Sequence, residues 1–305
     1  MTRFLADLIN GSRQNGALAM LRSVLASIAQ VILQNSPVSG AIFLLSIAAN
    51  SIDQAVTVLA GALAGVISAK ACEFPLADIK QGMFGFNGVL IGIALNIHFG
   101  FNSSTIFLTI VCSAASVVVG SLLTKLLRMP YYTMPFVLLT WSAMATFPIH
   151  HAVSDGVKMG SDLDLVTATL NGIGQVLLQS GTLSGVLIVA GLAFASPFAA
   201  VLAVIVSGMS AVCGSALGLP AVVVNEGLAG YNLVLVALAM KATGRRGGTI
   251  LVACVLAYIF AWIFLMLRLP PFTAPFVLSV WLIQFLTRRL TRQNIKTCTS
   301  PTELP

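Results

Sequence analysis

The sequence predicts an all-α polytopic membrane protein of about ten transmembrane helices, with broken or half helices, in two inverted repeats around a central pore. Three observations predict it. Of 305 residues, 58% are hydrophobic and only 8% are charged, where a soluble protein carries about a quarter charged. Apolar segments follow one another along most of the chain. Three phrases also recur in the same order, at offsets of 145, 145 and 140 residues.

Composition fixes the solvent. A soluble chain of this length needs a polar coat, which excludes a soluble binding module. A β-barrel would alternate in polarity over strands of ~10 residues, and no such pattern is present. The start, Met1–Asn15, carries Arg3, Asp7 and Arg13 and does not read as a cleavable signal. Cys72, Cys112, Cys213, Cys254 and Cys298 are scattered, so they read as small apolar residues rather than metal ligands. No metal, cofactor or nucleic-acid partner is expected. The net charge of +7 reads as topology, because basic residues gather at chain ends and loops.

The first series of apolar runs is Ala17–Leu33, Ala41–Asn50, Val56–Ala69, Val89–Ile97, Thr105–Leu123 and Thr133–Phe147. The second is Val166–Leu178, Val186–Val206, Ala221–Met240, Thr249–Leu267 and Thr273–Phe285. A hydrocarbon core of about 30 Å takes ~20 helical residues, so some runs span and the shorter ones are expected as partial helices. The recurring phrases tie the two series together. "AQVILQNSPVSG" from Ala29 returns as "GQVLLQSGTLSG" from Gly174. "QGMFGFNGVLIGIAL" from Gln81 returns as "EGLAGYNLVLVALAM" from Glu226, and "LRMPYYTMPFVLLTW" from Leu127 returns as "LRLPPFTAPFVLSVW" from Leu267. The expected organisation is therefore an N-terminal tail 1–16, a first repeat 17–147, a linker 148–165, a second repeat 166–285 and a C-terminal tail 286–305.

Charge supplies an orientation. Arg3, Arg13 and Arg22 mark the first end, and Arg288, Arg289, Arg292 and Lys296 the last. Both ends read as cytoplasmic by the positive-inside rule. The linker holds Asp155, Asp162 and Asp164 against Lys158 and reads as external. Each half then crosses an odd number of times, five in our count, and the halves are inverted. Such folds place substrate between the repeats near the midplane.

The chemistry rests on paired positions. Thr133 and Thr273 each lie between two prolines, which break a helix and free backbone carbonyls; they read as pore-lining hydroxyls. Gln30 and Gln175 are amides in apolar surroundings, costly unless bonded. Gln34 and Gln179 follow at i+4, on the same helical face. Phe86 with Leu90, and Tyr231 with Leu235, form aromatic–aliphatic patches at helical spacing. Facing one another, these patches make a flat slot. Gly85 and Gly230 suit close backbone approach, and Asn87 and Asn232 a bonded polar contact. Glu73 and Glu226 lie near membrane-like sequence and read as entrance groups or acceptors. Asp53 and Asp78 read as loop residues.

On these motifs the chain resembles the urea transporter family, as a bacterial member, over nearly its whole length. The resemblance implies a ten-helix inverted repeat, a homotrimer with one pore per protomer, and passive passage of urea. It places the chain in the inner (plasma) membrane as a multi-pass protein. It implies that Thr133 and Thr273 are mid-pore hydroxyls, that Phe86, Leu90, Tyr231 and Leu235 are slot walls, and that Gln30 and Gln175 sit towards the mouths. The chain departs from the family pattern at Met129, Val137, Ala229 and Val277, which widens the expected substrates to other short amides and ammonia. Urea has one carbonyl acceptor and four N–H donors, so a ladder of hydrogen-bonding groups must replace its water.

Two other readings differ in class. An ion- or proton-coupled transporter of a nucleobase, short amide or organic anion would need more intramembrane carboxylates. A membrane enzyme would have to use His98, His150 or His151, and no hydrolase or metalloprotease motif accompanies them; no enzyme activity is expected.

Overall fold

The computed structural model describes residues 13–148 and 162–298. Residues 1–12, the linker 149–161 with His150, His151, Asp155 and Lys158, and residues 299–305 lie outside the described residues. Among the described residues every regular element is a helix. The first seven are α1 (Arg13–Gln30), α2 (Pro37–Asn50), α3 (Ile52–Ala71), α4 (Leu76–Lys80), α5 (Phe86–Phe99), α6 (Ser103–Leu127) and α7 (Met134–Thr146). The second seven are α8 (Leu165–Gly174), α9 (Thr182–Ala195), α10 (Pro197–Ala216), α11 (Ala221–Asn225), α12 (Tyr231–Ala242), α13 (Gly247–Met266) and α14 (Ala274–Cys298).

The duplication read from the sequence recurs in these elements. A shift of 145 residues carries the first residues of α2, α3, α4 and α5 onto those of α9, α10, α11 and α12, and a shift of 140 carries α7 onto α14. Left-handed backbone residues, unusual outside glycine, recur at the same shifts: Leu33 with Leu178, Arg128 with Arg268, and Tyr132 with Phe272. Caps recur as well. Ser51 accepts from the N–H of Gln54 at the start of α3, and Ser196 from Ala199 at the start of α10. These serines bond helix-end donors that would otherwise be left open.

Among the described residues four helices, α3, α6, α10 and α13, are long and apolar enough to cross a bilayer alone. The bent pair α8 and α9, with 70° between its arms, is long and apolar enough only when both arms are taken together as one broken span. The rest of the ten expected spans fall on shorter helices. A 14-residue helix such as α2 or α5 reaches only about 21 Å, short of the ~30 Å core. The chain is thus a multi-pass membrane protein that combines full-length helices with short ones meeting inside. Helix α14 runs on to Cys298, through the stretch expected as a tail.

Burial separates two roles. In α5 nearly every side chain from Phe86 to Asn96 is buried, and in α12 most are. These short helices form the centre. By contrast, α13 buries only Ala253, Ala257 and Phe264. It turns Leu251, Val252, Val255, Ile259 and Trp262 outward, a face that fits lipid rather than water. The centre is close-packed through small residues. A Cβ on Gly61 of α3 would stand 2.1 Å from the carbonyl oxygen of Gly88, and one on Gly88 of α5 would stand 2.2 Å from that of Gly61.

Candidate functional site

The breaks between α6 and α7 and between α13 and α14 meet at the threonines. Thr133 is the N-cap of α7 and Pro135 follows within its first turn, where a missing N–H costs nothing. Arg128 (φ 53°) and Tyr132 (φ 46°) turn the chain, as Arg268 (φ 54°) and Phe272 (φ 42°) do in the second half. Left-handed non-glycine residues cost on the order of 1 kcal/mol each, so something must hold them. Asn87 does so in the first half: its Nδ2 donates to Tyr132 O at 3.2 Å and its Oδ1 accepts from Phe136 N at 3.0 Å. Asn232 repeats both bonds, to Phe272 O at 3.1 Å and from Phe276 N at 3.2 Å. The close approach expected of Gly85 and Gly230 is present. A Cβ there would stand 2.3 Å from Ser27 Oγ and 2.7 Å from Ser210 Oγ respectively.

The halves are clasped reciprocally. Trp141 Nε1 donates to Pro270 O at 2.9 Å, and Trp281 Nε1 to Pro130 O at 2.8 Å. Contacts exchanged in this way are what a two-fold relation between like units produces. Between them, Thr273 Oγ1 donates to Thr133 Oγ1 at 2.7 Å. Both threonines are buried. The carbonyls freed by the breaks are already engaged: those of Pro130 and Pro270 by tryptophans, and those of Tyr132 and Phe272 by asparagines. Phe272 O also accepts from Tyr231 Oη at 2.7 Å. The expectation that they stand open beside the threonines is therefore corrected. A buried carbonyl is too costly to leave unpaired.

A cavity of about 470 Å³ ends on Thr133, and Gln30, Asp78, Phe86, Lys125 and Tyr132 also line it. Thr124, Lys125 and Pro130, on its rim, are exposed. Phe86 stacks on Tyr131, with centroids 5.8 Å apart and planes 7° from parallel. Leu90 lies a turn further in and is fully buried. Asp78, expected in a loop, sits in α4 and on the cavity wall. The short helix is set by Pro75, just before its first residue, which sequence hydropathy does not reveal.

The glutamines end helices. Gln30 is the last residue of α1 and Gln175 caps α8. After each, left-handed Leu33 or Leu178 reverses the chain, so that Gln34 N reaches Ala29 O and Gln179 N reaches Gly174 O. Gln34 and Gln179 therefore lie past the turn, not on the same helical face as expected. Gln30 Nε2 contacts Met83 Sδ at 3.2 Å, while its buried Oε1 has no protein partner. Gln175 is more fully used: Nε2 donates to Glu226 O at 3.0 Å and Ser180 Oγ at 3.2 Å. Gln179 Nε2 donates to Gln54 Oε1 at 2.9 Å, across the halves.

Of the residues singled out from the sequence, Gln30, Phe86 and Thr133 line the cavity, and Thr273 adjoins it through Thr133. Leu90 on α5 and Leu235 and Tyr231 on α12 are buried outside its lining, and Gln175 lies at the end of α8. Glu73 and Glu226 have exposed side chains and do not line the cavity. Sequence reasoning passed over Tyr132 and its partner Gln284, whose Nε2 donates to Tyr132 Oη at 2.9 Å. It also passed over the tryptophan clasps, although Trp141 and Trp281 close the repeated phrase at matching places.

A duplicated helical bundle with a lipid-facing exterior, whose solute-sized cavity is lined by one member of a buried hydroxyl pair, defines a membrane transport protein. The sequence matches the urea transporter family over residues 21–289. The chain belongs to that family, which is one of transporters rather than enzymes. It is 24% identical to urea transporter 1 of Ovis aries over 301 residues, covering 90% of this chain and 78% of that protein. It is 31% identical to urea transporter 1 of Rattus norvegicus over 128 residues, covering 41% of this chain and 33% of that protein.

Proposed function

We propose that the chain conducts urea passively, as a channel-like transporter. The pathway runs from the cavity past Gln30, the Phe86–Leu90 wall and the Thr133–Thr273 pair to Leu235, Tyr231 and Gln175. The observation that carries this reading is the threonine pair. Two buried hydroxyls at 2.7 Å, with Thr133 on the wall of a cavity in the usual small-molecule range, offer donor and acceptor together. Urea passing between them takes over the bond they share, so a neutral hydrogen bond of ~1 kcal/mol is exchanged rather than lost. Gln30 lines the cavity, and its Oε1, buried and without a protein partner, takes an incoming N–H once the side chain turns to the solute. Modest sites of this kind both admit and release. Glu73 and Glu226, exposed on the short segments beside α4 and α11, serve as entrance groups.

In this reading the halves are inverted, each with five crossings, and both termini face the cytoplasm. Arg288 Nη1 donates to Arg128 O at 2.8 Å, so the C-terminal end and the Lys125–Arg128 rim share one face. Basic residues mark the cytoplasmic side, and the cavity opens there. The location is the inner membrane and the assembly a homotrimer with one pathway per protomer, by family resemblance.

The test is stopped-flow light scattering on proteoliposomes under an inward urea gradient. Reswelling several-fold faster than in empty liposomes is expected, unaffected by collapsing proton or sodium gradients. Reswelling no faster than in empty liposomes would sink the proposal. Loss of flux on collapsing an ion gradient would replace it with coupled transport.

A further inference from the structure

The hydroxyls on the cavity wall are not equivalent, and the two halves differ here. At the shift of 140 residues, Tyr132 matches Phe272 and Gln284 matches Met144. The pair of Tyr132 in the first half with Gln284 in the second is therefore a phenol and a supporting amide, where its counterpart, Phe272 with Met144, has only apolar groups. Tyr132 lines the cavity beside Thr133, with its ring edge-on to Phe276, centroids 5.3 Å apart. Its neighbour Tyr131 also lines the cavity, but the Tyr131 hydroxyl is spent on Met83 O at 2.6 Å. Tyr132 Oη accepts from Gln284 Nε2. A phenol that accepts one bond still holds one O–H to donate.

We propose that Tyr132 is a specificity-determining residue that donates its hydroxyl to the carbonyl of the solute, and that Gln284 positions it. The inference rests on the urea reading above. Thr133 accepts from Thr273 and likewise keeps its own O–H. Two donors on one cavity wall then meet the two lone pairs of a carbonyl oxygen, while Gln30 Oε1 takes an N–H at the other end. The solute class selected is a neutral planar amide with a true carbonyl. Ammonia has no carbonyl to accept, and guanidinium has neither acceptor nor neutrality. Gln284 is buried, and it is absent from the cavity lining, so it acts through Tyr132 alone. Its amide nitrogen occupies a phenol lone pair while its Oε1 is buried without a protein partner, so the phenol O–H is left for the solute.

Thiourea separates this role from simple packing. It is planar like urea, but its sulfur is a weaker acceptor. In the full-length protein, Tyr132→Phe is expected to lower urea permeability about two- to tenfold, the range for one lost neutral hydrogen bond. Thiourea should be nearly unaffected, so the urea-to-thiourea ratio collapses. Gln284→Met should lower the ratio in the same direction. The double variant should be no worse than Tyr132→Phe, because Gln284 acts only through the phenol. Gln284→Glu should capture the O–H and imitate Tyr132→Phe. An unchanged or raised ratio in Tyr132→Phe overturns the proposal, as does a double variant whose losses simply multiply. Wild-type protein that passes no urea refutes the earlier reading instead, and the two failures are told apart in one experiment.

Discussion

The hydroxyl of Thr273 donates to that of Thr133 across 2.7 Å, joining two residues 140 positions apart at the meeting point of the two helix breaks. Removing one partner strands the other in a buried place, which costs about 1–3 kcal/mol, whereas removing both with like-shaped groups is nearly neutral. Thr133→Val and Thr273→Val alone should each melt below wild type. The double variant should recover most of the loss in melting temperature yet carry urea several-fold more slowly. Wild-type flux in the double variant would take the threonines out of the pathway.

The tryptophan clasps should count equally. Trp141→Phe and Trp281→Phe each remove one indole donor and keep most of the ring. Each should cost about 0.5–1.5 kcal/mol, with similar shifts in denaturant midpoint. Because each bond joins one half to the other, limited proteolysis should release fragments of the separate halves sooner. A strong effect from one and none from the other would contradict a two-fold arrangement.

The contact of α3 with α5 has no room at Gly61. Gly61→Val places a Cβ where the Gly88 carbonyl already stands, forcing the helices apart. Overpacking of this kind costs about 1–3 kcal/mol. The yield of folded protein on size-exclusion chromatography should fall sharply, well below that of Gly16→Val, since a Cβ at Gly16 meets nothing within 4 Å. Equal yields from the two would show that the helices part without difficulty.

Asp164 gives a pH dependence with a definite sign. Its carboxylate caps α8 and accepts from the Thr167 hydroxyl and from the N–H groups of Thr167 and Val166. The hydroxyl bond first, then these backbone bonds, hold its pKa below the usual carboxylate value. A lowered folded-state pKa means that the stabilisation is complete above the ordinary Asp value of about 3.9 and is lost as pH falls through the folded one. The melting temperatures of wild type and Asp164→Asn should differ at pH 6 and converge under acid. A gap that stays constant into strong acid would assign the cap to something other than the charge.

Much of this was legible beforehand because duplication writes the same physics twice. The threonines between prolines, the paired asparagines and the glycines beside the aromatics all had echoes, and each echo fell on a matching structural element. What escaped had no echo, or depended on where a helix stops. Gln284 lies 152 residues from Tyr132, and its counterpart is a methionine, so no repeated phrase marked it. Gln34 looked like a continuation of the helix that holds Gln30, because the left-handed turn at Leu33 uses an ordinary leucine rather than glycine. The carbonyls expected to stand open had partners, Trp141 and Trp281 among them, whose distance in sequence hid the pairing.

The unlikeness of Tyr132 and Phe272 bears on what a gradient can do. A passive path obeys microscopic reversibility, so no difference between its ends can drive net movement when concentrations are equal. Unequal ends can still saturate unequally. A solute arriving from the Tyr132 side meets a phenol donor before the threonines, and one arriving from the other side meets a phenylalanine. Half-saturation should then fall at a lower concentration from the first side, balanced by a lower maximal velocity in that direction. The Tyr132 hydroxyl, unmatched at Phe272, makes the conductor a two-faced one, with the same permeability in both directions at low concentration and different ceilings at high.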